Sequence, residues 1–560
     1  AASDVYKRQH RAGKSTTTGF YNTFLGTSAG YSNTTGAYNE AIGYGALYGN
    51  TTGYSNVVMG NDAAYKLKTS NNVVIGTSAH TQNASNGSSN TIVGYYAGRS
   101  AVGSYNVLVG RESGEGDASS PYSSGSNNAA LGYQSLTAFT TASGSVAIGG
   151  SAGAGITTGN QNIAIGSGSM GVATTTGDNN IAIGALSGDA ITTSAGAVLI
   201  GTAAGGALTT GAGTTAIGYS ALNACTTAGG NTVLGYEAAK LLAGSDNSGT
   251  DNTVIGYRAL DAATSNERQN VVIGSHAGGS ISATPSDDNV LIGYAAGLGG
   301  AGTIEDCVVI GANAMDGTGT NTQTGTIAIG YFALSELTSG AGNSVIGYQA
   351  ADALTTGQYN TVLGYQALTT ATEVDGNTAI GMYAMVNFSA SADQGYNTAV
   401  GYNALAGSGG YSGVHNTVIG AYAGDSMTTG GYNVAIGSNA GTAVTTGINN
   451  VFIGREAGKG SVLAQGNTII GYQAASNGTA NQGFNVVFGY RAGRNLPSAR
   501  NTVLIGTNAG YSINSTGANF TVAVGDEAAY SLTTGEGNTA LGYQALYTAT
   551  ELDKNTAIGY

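Results

Sequence analysis

An aliphatic–glycine pair, most often I-G or L-G, returns 31 times along the chain, from Gly26 and Gly43 through Gly218, Gly381 and Gly454 to Gly559. The mean spacing is about 17.8 residues and the commonest is 17, so the chain reads as a repeat array. The residue before each marker glycine is apolar in every repeat, as at Ile42, Ile380 and Ile558, with Phe488 the largest. The residue two before is also apolar throughout, usually alanine or valine, and the third is mostly threonine, valine or isoleucine. Neighbouring residues on a strand point to opposite faces, so this pattern predicts a short strand covered on both sides. One cover is the inside of the coil and the other a separate element. The aliphatics beside the marker glycines are expected to stack into a continuous apolar spine. Three residues after the marker stands alanine or serine in all thirty repeats that extend so far, among them Ala46 and Ala384, which predicts close packing in every coil.

Tyrosine follows the marker in about half of the repeats, as at Tyr44, and stacking would set these rings above one another. Asparagine occupies the fourth position before the marker in 24 of 31 repeats, including Asn39, Asn377 and Asn555. Amide side chains repeated at the strand spacing of about 4.8 Å can bond to identical neighbours above and below. The far end of the unit is often T-T-G, as at Thr34, Thr35 and Gly36 or Thr355, Thr356 and Gly357, where glycine supplies a turn. Two short strands and two turns fit a seventeen-residue unit, which cannot bury its apolar face until neighbours stack on it. The predicted fold is all-β: a single-chain β-solenoid, or parallel β-roll, of about 31 coils of about 17–18 residues. Its ladder positions are exemplified by Asn39, Ile42, Gly43, Tyr44 and Ala46, by Asn377, Ile380, Gly381 and Ala384, and by Asn555, Ile558 and Gly559.

Composition narrows the function classes. Charged residues make up 8% of the chain, against about 25% in ordinary globular domains. With 17 basic and 30 acidic side chains the net charge is −13, and without basic clusters the chain is a poor partner for nucleic acid. The 95 glycines are not spaced in threes, which excludes collagen. Polar residues or glycine interrupt every apolar run well short of the roughly 18 residues of a membrane-spanning helix. A disordered low-complexity tract would have no reason to hold an aliphatic at one place in every unit.

The unit N-T-A-I-G-Y, whole at Asn555 to Tyr560 and with methionine for tyrosine at Asn377 to Met382, resembles the N-S-V-A-I-G repeat of YadA-like trimeric adhesin heads. Similar N-T-A-I-G-Y arrays occur in tail-fibre-like proteins of bacteria and phages. The resemblance covers nearly the whole chain through one short motif. It implies a left-handed parallel β-roll with three chains around one axis, which would supply the second cover of the strand. The unit departs from the adhesin heads in length, since theirs is nearer fourteen residues. The left-handed β-helix of hexapeptide acyltransferases fits Ile42, Gly43 and Ala46 but meets Tyr48 and Tyr54 where aliphatics belong, so one side in three matches.

The residues point to no catalytic, cofactor or metal site and to a protein that is not an enzyme. His10, His80, His276 and His415 fall in separate coils and read as isolated surface residues. Cys225 and Cys307, about five coils apart, lie beyond disulfide reach along a straight stack. Cys225 reads as a turn residue and Cys307 as a substitute in the asparagine ladder. Gly13, Lys14 and Ser15 lack the earlier glycine of a phosphate-binding loop, Arg8 standing in its place. Acidic residues are too irregular for calcium-binding repeats, and adjacent threonines diverge rather than form an ice-binding face. Longer repeats gain their extra residues at one place, after the alanine and before the next asparagine, in 114–127, 242–251 and 386–396. These loops are candidate binding edges, with Glu115, Asp117, Tyr122, Asp246, Asp251, Phe388 and Asp393 as candidate contacts.

Residues 1–20 read as non-repeat, and Ser3 to Gln9 resembles a translated sequencing adapter. Residues 21–560 read as one continuous array that stops inside a repeat, so a missing anchor or capping domain is expected. The expected function is a non-enzymatic structural fibre or shaft of an extracellular adhesin, surface filament or phage tail fibre, on a cell surface or virion. It would self-associate, with a trimer favoured. The alternatives are a module binding a host glycan or receptor through its insertion loops and, more distantly, an acyltransferase-like β-helix.

Overall fold

A computed structural model describes residues 5–560 except 82–86, 117–121, 228, 243–248, 265–266, 282–285, 300–301, 320, 390–394, 408–409, 479–482 and 516. The described residues form strands and turns and no helix. The chain divides into two compact units, Ala1–Asp287 and Asp288–Tyr560, and each is a parallel β-solenoid. In the first, parallel pairing steps from Val5–Arg8 to Asn22–Leu25, Glu40–Ile42 and onward to Val271–Ile273. Val5–Arg8 therefore pairs like any other rung, although it lies in the segment read as non-repeat and no marker glycine follows it. In the second, pairing runs from Val290–Ile292 through Val308–Ile310 and Ile327–Ile329 to Thr556–Ile558. Register is kept position on position, as in Ile163 on Ile181, Ala164 on Ala182 and Ile165 on Ile183.

That register explains the marker glycine. At Gly218 φ is +139°, a region closed to side chains, and a Cβ there would lie 2.2 Å from the carbonyl oxygen of Gly235 in the next coil. The chain turns sharply at this point while stacking backbone on backbone. The turn continues through left-handed residues two and four beyond the marker, Ser220 (φ 50°) and Leu222 (φ 51°) in this coil.

The structure corrects the expected spine. Strand alternation leaves one inward position in a three-residue strand, and the narrow coil gives it to the residue two before the marker. Ala130 is 2% exposed while Leu131 beside it is 52% exposed, and Val487 is fully buried while Phe488 is 53% exposed. The aliphatics next to the markers thus form a continuous row on the outer face. Inside, the second-before position meets the alanine three after the marker and a residue seven after it, such as Phe139, Ile156, Leu208, Leu354 or Met427, all fully buried.

Two of these inner positions trade volume. Phe24, Ile92, Leu108 and Phe452 each face glycine four after the marker, at Gly30, Gly98, Gly114 and Gly458. A Cβ on Gly458 would stand 2.2 Å from the Phe452 ring. Many coils with alanine inward instead carry a large fourth residue, as Leu47 with Ala41, Leu136 with Ala130 and Met385 with Ala379, whereas Ala147, Ala182 and Ala435 keep glycine there, at Gly153, Gly188 and Gly441. In those three coils the space is filled by the residue seven after the marker or by the next coil, with Ile156 against Gly153, Ile191 and Leu199 against Gly188, and Val444 and Phe452 against Gly441, as a close-packed interior requires.

The second strand of the expected coil is largely replaced by stacked turns. The N–H groups of Thr34, Thr35 and Gly36 all donate to one acceptor, the Thr51 carbonyl of the next coil, at 2.9, 3.1 and 3.4 Å. Strand pairing on this side is confined to short stretches such as Ile304–Glu305 with Gln323–Thr324 and the bridge Ile448 to Gln465.

The volume trade yields a reciprocal test. Gly458→Leu drives a side chain into Phe452 and lowers stability by about 1–3 kcal/mol or more, the usual range for overpacking. Adding Phe452→Ala recreates the Ala41 and Leu47 arrangement and restores most of the loss, as read by thermal denaturation followed by circular dichroism. Additive losses in the double variant would refute the pairing.

Candidate functional site

The asparagine ladder is the most regular side-chain assembly in both units. The Asn39 amide Nδ2 donates to Asn22 Oδ1 at 3.1 Å and to the Gly53 carbonyl at 2.9 Å, and the Asn39 backbone N–H also donates to Asn22 Oδ1, at 2.9 Å. Asn39 Oδ1 then accepts from the backbone N–H and the amide of Asn56, at 3.1 and 3.0 Å. Each asparagine thereby ties the strand side of its coil to the T-T-G turn and to both neighbours. Asn22 and Asn39 are fully buried, and a buried amide with every bond made is held in one orientation. In the second unit the ladder runs unbroken from Asn343 to Asn485, and Thr502 continues it with its hydroxyl on Asn485 Oδ1 at 2.7 Å. Asn377 lies inside this run, and the Asn555 backbone N–H donates to Asn538 Oδ1 at 3.0 Å. Cys307 stands in the ladder as expected: its N–H donates to Asn289 Oδ1 at 2.9 Å, and burial raises its thiol pKa to about 11. Fully buried Tyr411 reaches the ladder from outside the repeat pattern, donating its hydroxyl to Asn397 Oδ1 at 3.2 Å.

Aromatic columns run along the outside. The column after the markers is stacked at Tyr219, Tyr236 and Tyr257, with centroids 5.0 and 5.4 Å apart, and at Tyr331, Tyr348 and Tyr365. Tyr44 has no ring above or below it in this column, where Thr27 and Asn61 stand, and is 59% exposed. A second column, five residues after the marker, holds Tyr31, Tyr48 and Tyr65 at 4.8 and 4.7 Å with planes within 6°. Tyr511, Tyr530 and Tyr547 repeat it at 5.1 Å. A third, five before the marker, stacks His415 between Tyr396 and Tyr432. The second and third columns were legible as recurrent tyrosine at fixed offsets.

The insertion-loop residues do not assemble into a site. Asp117, Asp246 and Asp393 lie outside the described residues. Glu115 pairs with Arg99 of the preceding coil at 3.0 Å, and Tyr122 is 37% exposed. Asp251, exposed at a left-handed corner, comes seven coils later in the first unit. Phe388 is no surface contact: it fills the inner position seven after the marker and is fully buried. Cys225 occupies the same inner position and is likewise buried, so it is a core residue and not a turn residue. The expectation of surface histidines fails at His80, which is 2% exposed with Nδ1 3.1 Å from the Gly98 carbonyl. Burial pushes its pKa down. Among the described residues no three His, Cys, Asp or Glu side chains converge as metal ligands.

One recurrent acidic position is electrostatically costly. Asp189, Asp261, Asp316, Asp352 and Asp425 all stand five after a marker, and burial raises the pKa of each. Glu336 adds to the effect at Asp352, whose Oδ1 is buried with no hydrogen-bond partner among the described residues.

Two outcomes follow from these ladders. Asn433 makes bonds to Asn416, Gly447 and Asn450, so Asn433→Ala strands buried partners and costs about 2–4 kcal/mol in chemical denaturation. Asn433→Asp at neutral pH is at least as damaging, because a carboxylate cannot donate. Asp352→Asn acts oppositely. A carboxyl with a raised folded-state pKa penalises the fold when ionised, so the variant melts higher than the parent at pH 7. That advantage closes as pH falls through the ordinary carboxylate range near ~4, where the parent protonates.

No protein-family model matches this chain, and a search of curated proteins finds no match either.

Proposed function

We propose that this chain is a non-enzymatic structural shaft, part of an extracellular fibre such as a surface adhesin, filament or phage tail fibre. The observation that carries this reading is where its polar chemistry goes. The repeated amides of the ladder are consumed in bonds between successive coils and lie buried, which serves the persistence of a stack and leaves them unable to act on a substrate. The low charge content and the stacked outer tyrosines suit the same role.

The outer face supports self-association. Each strand presents its first and third residues outward, giving a regular β surface of threonine, valine and isoleucine with half-exposed rows such as Ile346, Leu363 and Ile419. An apolar sheet face of this regularity is the kind that identical copies cover. Three chains around one axis would supply that cover, as the resemblance to trimeric adhesin heads implies.

Sedimentation or mass photometry of the whole chain tests the proposal. A trimer is expected, and Leu363→Lys with Ile419→Lys on the outer row is expected to release folded monomers. Val418→Lys, one residue inward, should unfold the coil instead. A parent chain that is a stable monomer at all concentrations would count against the assembly.

A further inference from the structure

The tyrosine column of the first unit breaks off where a ring is missing. Tyr31, Tyr48 and Tyr65 stack at 4.8 and 4.7 Å in consecutive coils, but the next two rungs of the same column are Thr81 and Arg99. Threonine leaves the forward face of Tyr65 without a ring against it. Arg99 does not close the gap, since its guanidinium lies over the Tyr96 ring at 4.8 Å and pairs with Glu115 at 3.0 Å. The rung between Tyr65 and Arg99 holds only the small Thr81, whose hydroxyl donates back to the Ser78 carbonyl at 3.2 Å, so a ring laid on Tyr65 beside it would meet no protein ring beyond.

The neighbouring column, two residues after the marker, keeps this space open. It carries Ser28, Gly45 and Ser78 here, and an opening of about 450 Å³ runs between the two columns. The Asp62 carboxylate projects into it, close enough to Gly45 that a Cβ there would lie 2.3 Å from Asp62 Oδ1. No hydrogen bond or ion pair reaches that carboxylate from the described residues, and burial raises its pKa. In other coils glutamine occupies the Gly45 position, at Gln349, Gln366, Gln473 and Gln544, with φ between 47° and 55°.

We infer that this opening is a binding slot for an aromatic amine: one planar ring seated on Tyr65 as the absent rung of the column, with its amine toward Asp62. Planarity follows from the three rungs Tyr31, Tyr48 and Tyr65, flat rings held within 6° of parallel. The positive charge follows from the unpaired carboxylate, from tyrosine faces that favour cations, and from a net charge of −13. Arg99 does not oppose it, since Glu115 neutralises its charge.

Tyramine is the probe, observed on the full chain by saturation-transfer NMR, with cyclohexylmethylamine as the charged but non-planar control. Binding in about the millimolar range is expected, the strength of one stacked ring and one ion pair at an open site, and the control should bind about tenfold more weakly. Thr81→Tyr supplies the missing rung from the protein itself and should weaken tyramine binding by about tenfold or more. Gly45→Gln fills the groove and, with its Cβ against Asp62 Oδ1, turns that carboxylate aside, so it should do the same, and it carries the test if Thr81→Tyr alters the circular dichroism spectrum. Asp62→Asn should weaken binding by about three- to tenfold. Unchanged tyramine binding in a folded Gly45→Gln variant, equal binding of the cyclohexyl control, or no binding of tyramine to the parent would each overturn the assignment.

Discussion

Everything in this fold depends on one constraint, that a coil lie on its neighbour with like position above like position. Within a coil the bonds are those of its turns, such as the Ala46 N–H on the Gly43 carbonyl. The strand, the T-T-G turn and the asparagine side chain all bond to the coils before and after their own. The marker glycine enforces the spacing, because its backbone touches the next marker where any side chain would intrude. Once that contact is fixed, rings must stack near the strand spacing, amides must ladder, and an insertion can enter only where it leaves the stacked positions untouched.

This explains how a core so thin is stable. No coil has a hydrophobic interior of its own; each contributes a few side chains, from alanine to phenylalanine, to a filament of buried atoms shared with its neighbours. The exchange between the inward strand residue and the residue four after the marker keeps that filament filled in many coils, and the residue seven after the marker or the next coil fills it in others, as Ile156 does against Gly153. Phe452 with Gly458 and Ala41 with Leu47 are two solutions to one volume.

The period, the glycine marker, the buried alanine at Ala46 and Ala384 and the asparagine ladder were all legible in the sequence, because each recurs at a fixed offset and has one physical use. The direction of the strand was not. Two adjacent apolar residues carry no parity signal in a strand three residues long, so Ile42 and Ile380 read as core when Ala41 and Ala379 are. The size of the inward residue, coupled to the position four after the marker, was the signal that would have decided it. Phe388 and Cys225 were misplaced for a related reason. The inner position seven after the marker accepts aliphatics, aromatics, cysteine and serine alike, so its chemistry varies although its place does not. His80 shows the same tolerance four after the marker.

Because successive coils are joined by bonds that run along the direction of stacking, a pull applied along that direction within either unit loads the coil-to-coil junctions one after another, like links in a chain. Every link carries the same tension, so the assembly is as strong as its weakest junction and gains nothing from its best. The rungs without the amide, at Ser145, Ala197 and Thr214 in the first unit and at Cys307, Thr326, Thr502 and Thr521 in the second, are then the places where mechanical rupture is expected to begin.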